Sequence, residues 1–185
     1  CSNTSTLLAN HNATLLGLMA IQKTGALISL DVNLRENLWP ADELQYLPER
    51  VGDLMILADI LKFSKEEYAH LERVIPNFTT IINDNIANGA VILITDAGNP
   101  IKVMNKSVDN LSINPIMPNK VVDTTGAGDG FISGFLSYCS MHQVTSIQSF
   151  DADTLTKAVE FASQIGAKTC EQKGAFNALP YLTEL

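Results

Sequence analysis

The sequence predicts an α/β fold, a parallel sheet with helices on both of its faces. Apolar runs of strand length alternate along the chain with stretches whose apolar residues recur at helical spacing. The clearest strand, 90–95, is apolar almost throughout, as a strand covered on both faces requires. A turn containing Gly126 and Gly128 then leads from a strand-like approach into an apolar helix, which is the strand-to-helix junction expected of such a sheet.

The other elements follow in chain order from periodicity, caps and turn residues. Pro48 suits the first turn of a helix, residues 64–67 form a capping box, and Ser149 or Asp151 can cap a long final helix. The predicted helices besides the one after the glycine turn cover 12–24, 48–58, 68–74, 77–88 and the stretch after 151. The predicted strands cover 26–31, 59–63, 90–95 and 101–104, with an edge strand and loop over 107–118.

Composition restricts the function. The 185 residues are 46% hydrophobic and 17% charged, which suffices for the core of a single domain. The net charge of −8 argues against nucleic acid or an anionic membrane as a partner. Cys1, Cys139 and Cys170 lack the spacing of metal ligands, so we interpret them as reduced packing residues and expect a cytoplasmic protein.

The glycine turn carries the strongest chemical signal. Gly126, Ala127 and Gly128 leave backbone N–H groups uncovered at the start of a helix, where unpaired amides favour a phosphate. Asp129 in the first helical turn could be only a helix-stabilising acid. Beside an anion-binding turn, however, a carboxylate is suited to accept the proton of an attacking hydroxyl. A dinucleotide fingerprint and a P-loop are both excluded, because Phe-Ile-Ser follows Gly130.

Two segments carry a resemblance to a known family. Residues 123–131 (Asp-Thr-Thr-Gly-Ala-Gly-Asp-Gly-Phe) resemble the C-terminal signature of the ribokinase-like (PfkB) carbohydrate kinases. Residues 31–40 (Asp-Val-Asn-Leu-Arg-Glu-Asn-Leu-Trp-Pro) resemble a segment of the fructokinase branch. Because the family's chains are longer, the resemblance implies that residues 1–185 are the C-terminal part of one sugar kinase domain. It implies a Rossmann-like three-layer α/β/α fold with a mostly parallel sheet, from which the N-terminal part and the lid are missing.

The resemblance implies ATP-dependent phosphorylation of a sugar hydroxyl, with D-fructose giving fructose 6-phosphate. Asp129 would be the base and a sugar contact, while the amides of Gly126, Ala127 and Gly128 hold the transferred phosphoryl group and Mg²⁺ neutralises further charge. The alternatives are a kinase for 2-keto-3-deoxygluconate or a riboside, and a non-catalytic module that binds a nucleotide or sugar. Bare sheet edges would invite pairing, for instance as a homodimer, and we expect the segment alone to be poorly active or inactive.

The resemblance also implies roles for residues outside the glycine turn, each with a structural alternative. Arg35 is expected near phosphate or sugar with Asn33 beside it, although Asp31 and Arg35 could instead pair across a loop. Glu67 stands where the family has the acid of Asn-x-x-Glu, with Ser64 in place of the asparagine. Glu67 would therefore help to organise Mg²⁺, or would only cap its helix.

The resemblance finally implies nucleotide contacts and a cation site. Thr95, Gly98, Gly128 and Ser163 are the expected nucleotide contacts, although the family's second glycine after Thr95 is absent and close helix packing explains the small residues around Ser163 equally well. Asp123, the Thr125 carbonyl and the loop at Gly174 would hold a monovalent cation such as K⁺. Asp123 could otherwise cap its own turn.

Overall fold

The computed structural model of the chain describes residues 11–180, which form six α-helices and one five-stranded sheet. The helices are α1 (His11–Gln22), α2 (Leu47–Leu57), α3 (Lys65–Val74), α4 (Phe78–Asn88), α5 (Ala127–Met141) and α6 (Ala152–Cys170). The strands are β1 (Ser29–Asp31), β2 (Ile60–Ser64), β3 (Val91–Asp96), β4 (Asn99–Asn105) and β5 (Val108–Ile113). Within this part of the chain, no helix combines the length and apolarity needed to cross a bilayer.

The sheet is mostly parallel, as predicted. Its strand order is β1-β2-β3-β4-β5, with parallel pairing from β1 to β3 and antiparallel pairing of β4 with both β3 and β5. Four of the strands therefore run in one direction and β4 runs against them. The connections around β4 are residues 97–98 and 106–107, which are long enough for hairpins and too short for the crossover that a parallel pair needs.

Helices cover both faces of the sheet, so the predicted three-layer arrangement is confirmed. Alternate residues of β2 divide between two cores: Leu61 and Phe63 pack with α2, α3 and α4, whereas Ile60 packs with α5 and α6. This division follows from the period of two along a strand. It also directs Lys62 toward the face that α5 and α6 cover.

Helix ends follow the sequence signals closely. Pro48 lies in the first turn of α2, and Gly89 ends α4 with a φ of 100°, a conformation that glycine adopts without strain. The predicted helix over 68–74 begins earlier, at Lys65, because Ser64 is its N-cap. Asp151 rather than Ser149 caps α6, and its carboxylate accepts a hydrogen bond from the Thr154 amide.

α5 packs closely on α6. A Cβ on Gly134 would lie 2.9 Å from the Ala162 Cα, and one on Gly166 would lie 3.2 Å from the Ala127 carbonyl oxygen. Helix packing thus accounts for small residues on both helices, as the structural alternative for this region predicts.

The cysteines that the structure describes behave as packing residues. Cys139 and Cys170 are buried free thiols, and burial raises the pKa of Cys139 to about 11. The prediction for these two is confirmed, whereas Cys1 lies outside the described residues.

Candidate active site

The carboxyl ends of β1, β2 and β3 meet at one edge of the sheet. In the strand register Asp31 lies opposite Lys62, and Ser64 lies opposite Thr95. The start of α5 reaches the same edge, since a Cβ on Gly128 would lie 2.9 Å from Lys62 Nζ. The fold therefore brings the glycine turn to the strand ends, where open α/β sheets place their ligands.

The conformation of the glycine turn requires glycine at position 126. Gly126 is the N-cap of α5 with a φ of 81°, and a Cβ there would lie 2.9 Å from both Cα and Cβ of Ala175. Only glycine fits such a position without strain. The first helical turn leaves its amides without intrahelical acceptors, and Asp129 is exposed in that turn.

Asp123 fixes this turn to the loop after α6. Its Oδ1 accepts a hydrogen bond from the Thr125 amide at 2.9 Å, and its Oδ2 accepts one from the Gly174 amide at 3.0 Å. A side-chain hydrogen bond with Thr125, followed by these two backbone bonds, lowers the pKa of Asp123 to about 2. Asp123 therefore caps its own turn, which was the structural alternative to a cation ligand. The same contacts also bring together Asp123, Thr125 and Gly174, the three residues predicted to surround a monovalent cation.

A cleft of about 410 Å³ opens beside the turn. All four predicted nucleotide contacts, Thr95, Gly98, Gly128 and Ser163, line it. The apolar side chains that also line it include Ile101, Pro115, Ile116, Met117, Val121 and Phe131. A largely apolar cleft with few convergent polar groups is typical of a small-molecule site.

Ser163 has a structural contact besides its place in the cleft. Its hydroxyl oxygen accepts a hydrogen bond from the Ile116 amide at 2.6 Å. Ser163 therefore holds the segment that forms the apolar wall of the cleft, and its contact with a nucleotide stays a prediction.

Lys62 is a site residue that the sequence reasoning missed. Its ammonium is buried, with 6% of the residue exposed, and lies 3.0 Å from Asp31 Oδ1. Burial raises the pKa of Asp31, an effect that Lys62 partly offsets and that the nearby carboxylates of Glu67 and Asp129 increase. The sequence did contain a signal for Lys62: a lysine lies between Leu61 and Phe63 in a strand that is covered on both faces. Buried lysines are rare unless they are paired.

The alternative pairing of Asp31 with Arg35 does not form. Arg35 is exposed, and its Nε donates a hydrogen bond to Asn33 Oδ1 at 3.1 Å. Neither Asn33 nor Arg35 is among the residues that line the cleft. Their contacts with sugar or phosphate therefore stay predictions.

Glu67 forms the predicted capping box. Its Oε2 accepts a hydrogen bond from the Ser64 amide at 2.7 Å, and the Ser64 hydroxyl accepts one from the Glu67 amide. Its Oε1 accepts a further bond from the Leu34 amide at 2.5 Å, so Glu67 also ties the loop after β1 to α3. Over residues 11–180 there is no group of three or more His, Cys, Asp or Glu placed to hold a metal ion.

Comparison with known proteins identifies related enzymes. A fructokinase of Klebsiella pneumoniae is 30% identical over 195 residues, covering 100% of this chain and 58% of its own. The structure of Vibrio cholerae O395 fructokinase with fructose, ADP and calcium has a TM-score of 0.76 and 30% identity over 93% of this chain and 53% of that one. A double mutant of the same enzyme, with a TM-score of 0.77, contains fructose, ADP and potassium.

A riboside kinase is also similar. Salmonella enterica aminoimidazole riboside kinase, in complex with aminoimidazole riboside and an ATP analogue, has a TM-score of 0.73 and 27% identity over 91% of this chain and 54% of that one. The chain thus spans little more than half the length of the proteins that it matches. The model of the pfkB family carbohydrate kinases matches residues 4–182. The chain therefore belongs to the pfkB family of carbohydrate kinases.

Proposed function

We propose that this chain forms the phosphoryl-transfer part of an ATP-dependent sugar kinase that converts D-fructose to fructose 6-phosphate. The observation that carries the proposal is the position of Asp129, in the first turn of α5 and directly after the amides of the glycine turn. The cleft beside that turn is the proposed nucleotide site. Similarity to fructokinases supports fructose as the sugar.

The proposed reaction is a direct transfer. The sugar hydroxyl oxygen forms a bond to the γ-phosphorus of ATP while the bond from that phosphorus to the bridging oxygen of ADP breaks. The hydroxyl proton passes to the Asp129 carboxylate. The amides of Gly126, Ala127 and Gly128 stabilise the charge on the transferred phosphoryl group.

The proposed position of the nucleotide follows from the same residues. Its phosphates would lie at the glycine turn, and its base and ribose would lie in the cleft lined by Thr95, Gly98 and Ser163. The apolar wall that includes Ile116 and Met117 suits a planar base. Asn33 and Arg35, at the end of β1, are the proposed contacts to the sugar side.

The proposal includes two metal ions. Mg²⁺ neutralises phosphate charge when bound, and Glu67 would help to organise it, since each of its oxygens retains a lone pair after accepting one backbone N–H. Asp123, the Thr125 carbonyl and the loop at Gly174 would hold a monovalent cation. The low pKa of Asp123, about 2, keeps that carboxylate charged.

Asp129→Asn tests the proposed base in the complete gene product. We expect turnover to fall by about 10²- to 10⁴-fold, the usual contribution of a general base, while ATP affinity and the unfolding midpoint change little. Asp153→Asn is the matched control, because Asp153 is an exposed acid in the first turn of α6. If Asp129→Asn retained most of its turnover, Asp129 would be only a helix-stabilising acid.

A riboside kinase is the second candidate, and the similarity to Salmonella enterica aminoimidazole riboside kinase favours it. The glycine turn and Asp129 would act identically in that case, so the two kinases differ only in the acceptor. A non-catalytic binding module would instead bind ATP without turnover of any acceptor.

A further inference from the structure

We propose that the pair formed by Glu36 and His70 positions the loop after β1 for sugar binding. His70 is then a positioning residue, which acts on the sugar through the loop rather than by touching it. The inference rests on the proposed kinase function and extends it, because Asn33 and Arg35 of this loop are the proposed sugar contacts. It involves hydrogen bonding and charge only.

The loop is exposed between two buried residues. Val32 directly follows β1 and is fully buried, and Trp39 is 6% exposed in the core. Residues 35–38 between them are exposed, so packing against the core does not fix their positions. A short 3₁₀ turn over Glu36–Leu38 completes the loop. Contacts with a neighbouring element therefore decide where its exposed part lies.

The neighbouring element is α3, which holds the loop at two points. Glu67 Oε1 accepts a hydrogen bond from the Leu34 amide at 2.5 Å, and His70 Nε2 lies 2.9 Å from Glu36 Oε1. An ionised carboxylate only accepts hydrogen bonds, so His70 is the donor of this one. Glu67 and His70 are three residues apart and therefore share one face of the helix. That face is turned toward the loop.

The two points of contact lie on either side of Arg35. Leu34 lies between Asn33 and Arg35, and Glu36 follows directly. Asn33 has a φ of 41°, in the left-handed region that asparagine tolerates better than most residues. Its Oδ1 accepts a hydrogen bond from Arg35 Nε at 3.1 Å. The two side chains are thus joined to each other, and a shift of the loop displaces both.

The exposure of the pair separates positioning from stability. The side chains of His70 and Glu36 are 35% and 45% exposed, and a contact so open to water contributes little to the free energy of unfolding. Sugar affinity is more sensitive, because it depends on the precise placement of the contacting groups. None of the described residues 33–38 lines the proposed nucleotide cleft. Loss of the pair should therefore weaken sugar binding and leave the fold and ATP binding unchanged.

The experiment compares variants of the pair in the complete gene product. They are His70→Ala, Glu36→Ala, the double variant with both alanines, and His70→Gln, which retains an N–H donor for Glu36. Glu72→Ala is the control, because Glu72 is exposed on the same helix. The measurements are the dissociation constant for D-fructose, the KM values for fructose and ATP, kcat and the unfolding midpoint. Ribose, 2-keto-3-deoxygluconate or a riboside replaces fructose if it is the preferred acceptor.

We expect the dissociation constant and the KM for the sugar to rise by about 2- to 5-fold in both single alanine variants, the factor that corresponds to one exposed ion pair. The double variant should match the single variants, because each substitution removes the same contact. His70→Gln should retain most of the wild-type sugar affinity. The KM for ATP, the unfolding midpoint and every value of Glu72→Ala should stay at the wild-type level.

Three results would overturn the proposal. The first is wild-type sugar affinity in both single alanine variants, which would leave the pair as a surface contact without effect on the site. The second is an equal rise in the KM values for sugar and ATP, which would show a general disturbance. The third is an additive loss in the double variant, which would show that Glu36 and His70 act separately.

The dissociation constant separates this inference from the kinase function. Sugar binding that depends on His70, without phosphate transfer from ATP, would retain the positioning role and remove the kinase proposal. Phosphorylation with the same KM for sugar in wild type and variants would retain the kinase and remove the role of the pair. A wild-type protein that binds none of the four acceptors would overturn both.

Discussion

At the residue scale, Asp123 shows how one carboxylate holds the glycine turn in place. It accepts hydrogen bonds from the amides of Thr125 and Gly174, and its pKa falls to about 2 from an ordinary value of 3.8. A carboxyl group whose native pKa is lowered contributes stability above its unfolded pKa. That contribution is lost as the pH falls through the native pKa.

Asp123→Asn is therefore expected to destabilise the protein most at neutral pH. The difference in free energy of unfolding between wild type and variant should shrink as the pH falls from about 4 to about 2, the interval between the unfolded and native pKa values. Urea unfolding at several pH values measures this difference. A difference that stayed constant between pH 7 and pH 2 would contradict the role of the ionised carboxylate.

The residues of the glycine turn could be predicted from sequence, whereas Lys62 could not. Gly126, Gly128 and Asp129 form a local motif, so their proximity follows from the chain itself. Lys62 belongs to the site because of two tertiary contacts. The β1–β2 register sets Asp31 opposite it, and Gly128 packs against its ammonium. Both contacts join residues far apart in sequence, and periodicity alone does not specify them.

At the element scale, the contact between α5 and α6 determines where the turn lies. A Cβ on Gly134 would lie 2.8 Å from Ile165 Cγ1 and 2.9 Å from the Ala162 Cα. The second of these atoms belongs to the backbone, so the contact can be relieved only by moving one helix. The position of Asp129 thus depends on a glycine in the second turn after it.

Gly134→Ala is expected to lower the free energy of unfolding by about 1–3 kcal/mol through overpacking. Gly17→Ala in α1 is the matched control, because a Cβ there meets nothing within 4 Å. The control should stabilise the protein by up to about 1 kcal/mol, the difference in helix propensity. Denaturant unfolding of both variants measures these effects, and equal stabilisation by the two substitutions would contradict the account of helix packing.

The elements themselves could largely be predicted because each carries a local signal. Apolar content identified β3 as a central strand, and Gly89 identified the end of α4. Ser64 and Glu67 identified the capping box of α3, although the helix was predicted only from residue 68 and begins at Lys65. The direction of β4 could not be predicted, because the sequence indicated only an extended segment over 101–104 after a turn. The two-residue connections on either side of β4 decide its antiparallel pairing.

At the scale of the whole molecule, the exposure of Asp129 limits what the chain can do by itself. Asp129 is exposed at the start of α5, and phosphoryl transfer to a sugar rather than to water requires that water be excluded. Among the described strands, β1 pairs on one side only, with β2. Further sequence or a second chain is expected to cover this region.

We therefore expect the 185-residue chain alone to be poorly active or inactive. The measurement is the turnover number of this chain against that of the complete gene product, together with the oligomeric state of each by light scattering. Equal turnover by the chain as a monomer would contradict the expectation, since it would show that the exposed Asp129 needs no cover.

ATP-dependent phosphorylation of a sugar is tested most directly by measuring transfer to several candidate acceptors. The complete gene product is assayed for phosphate transfer from ATP to fructose, ribose, 2-keto-3-deoxygluconate and a riboside, with and without potassium. We predict strong preference for fructose and faster turnover with potassium. Turnover of another acceptor would keep the mechanism and replace the substrate, whereas ATP binding without transfer to any of them would contradict the kinase assignment.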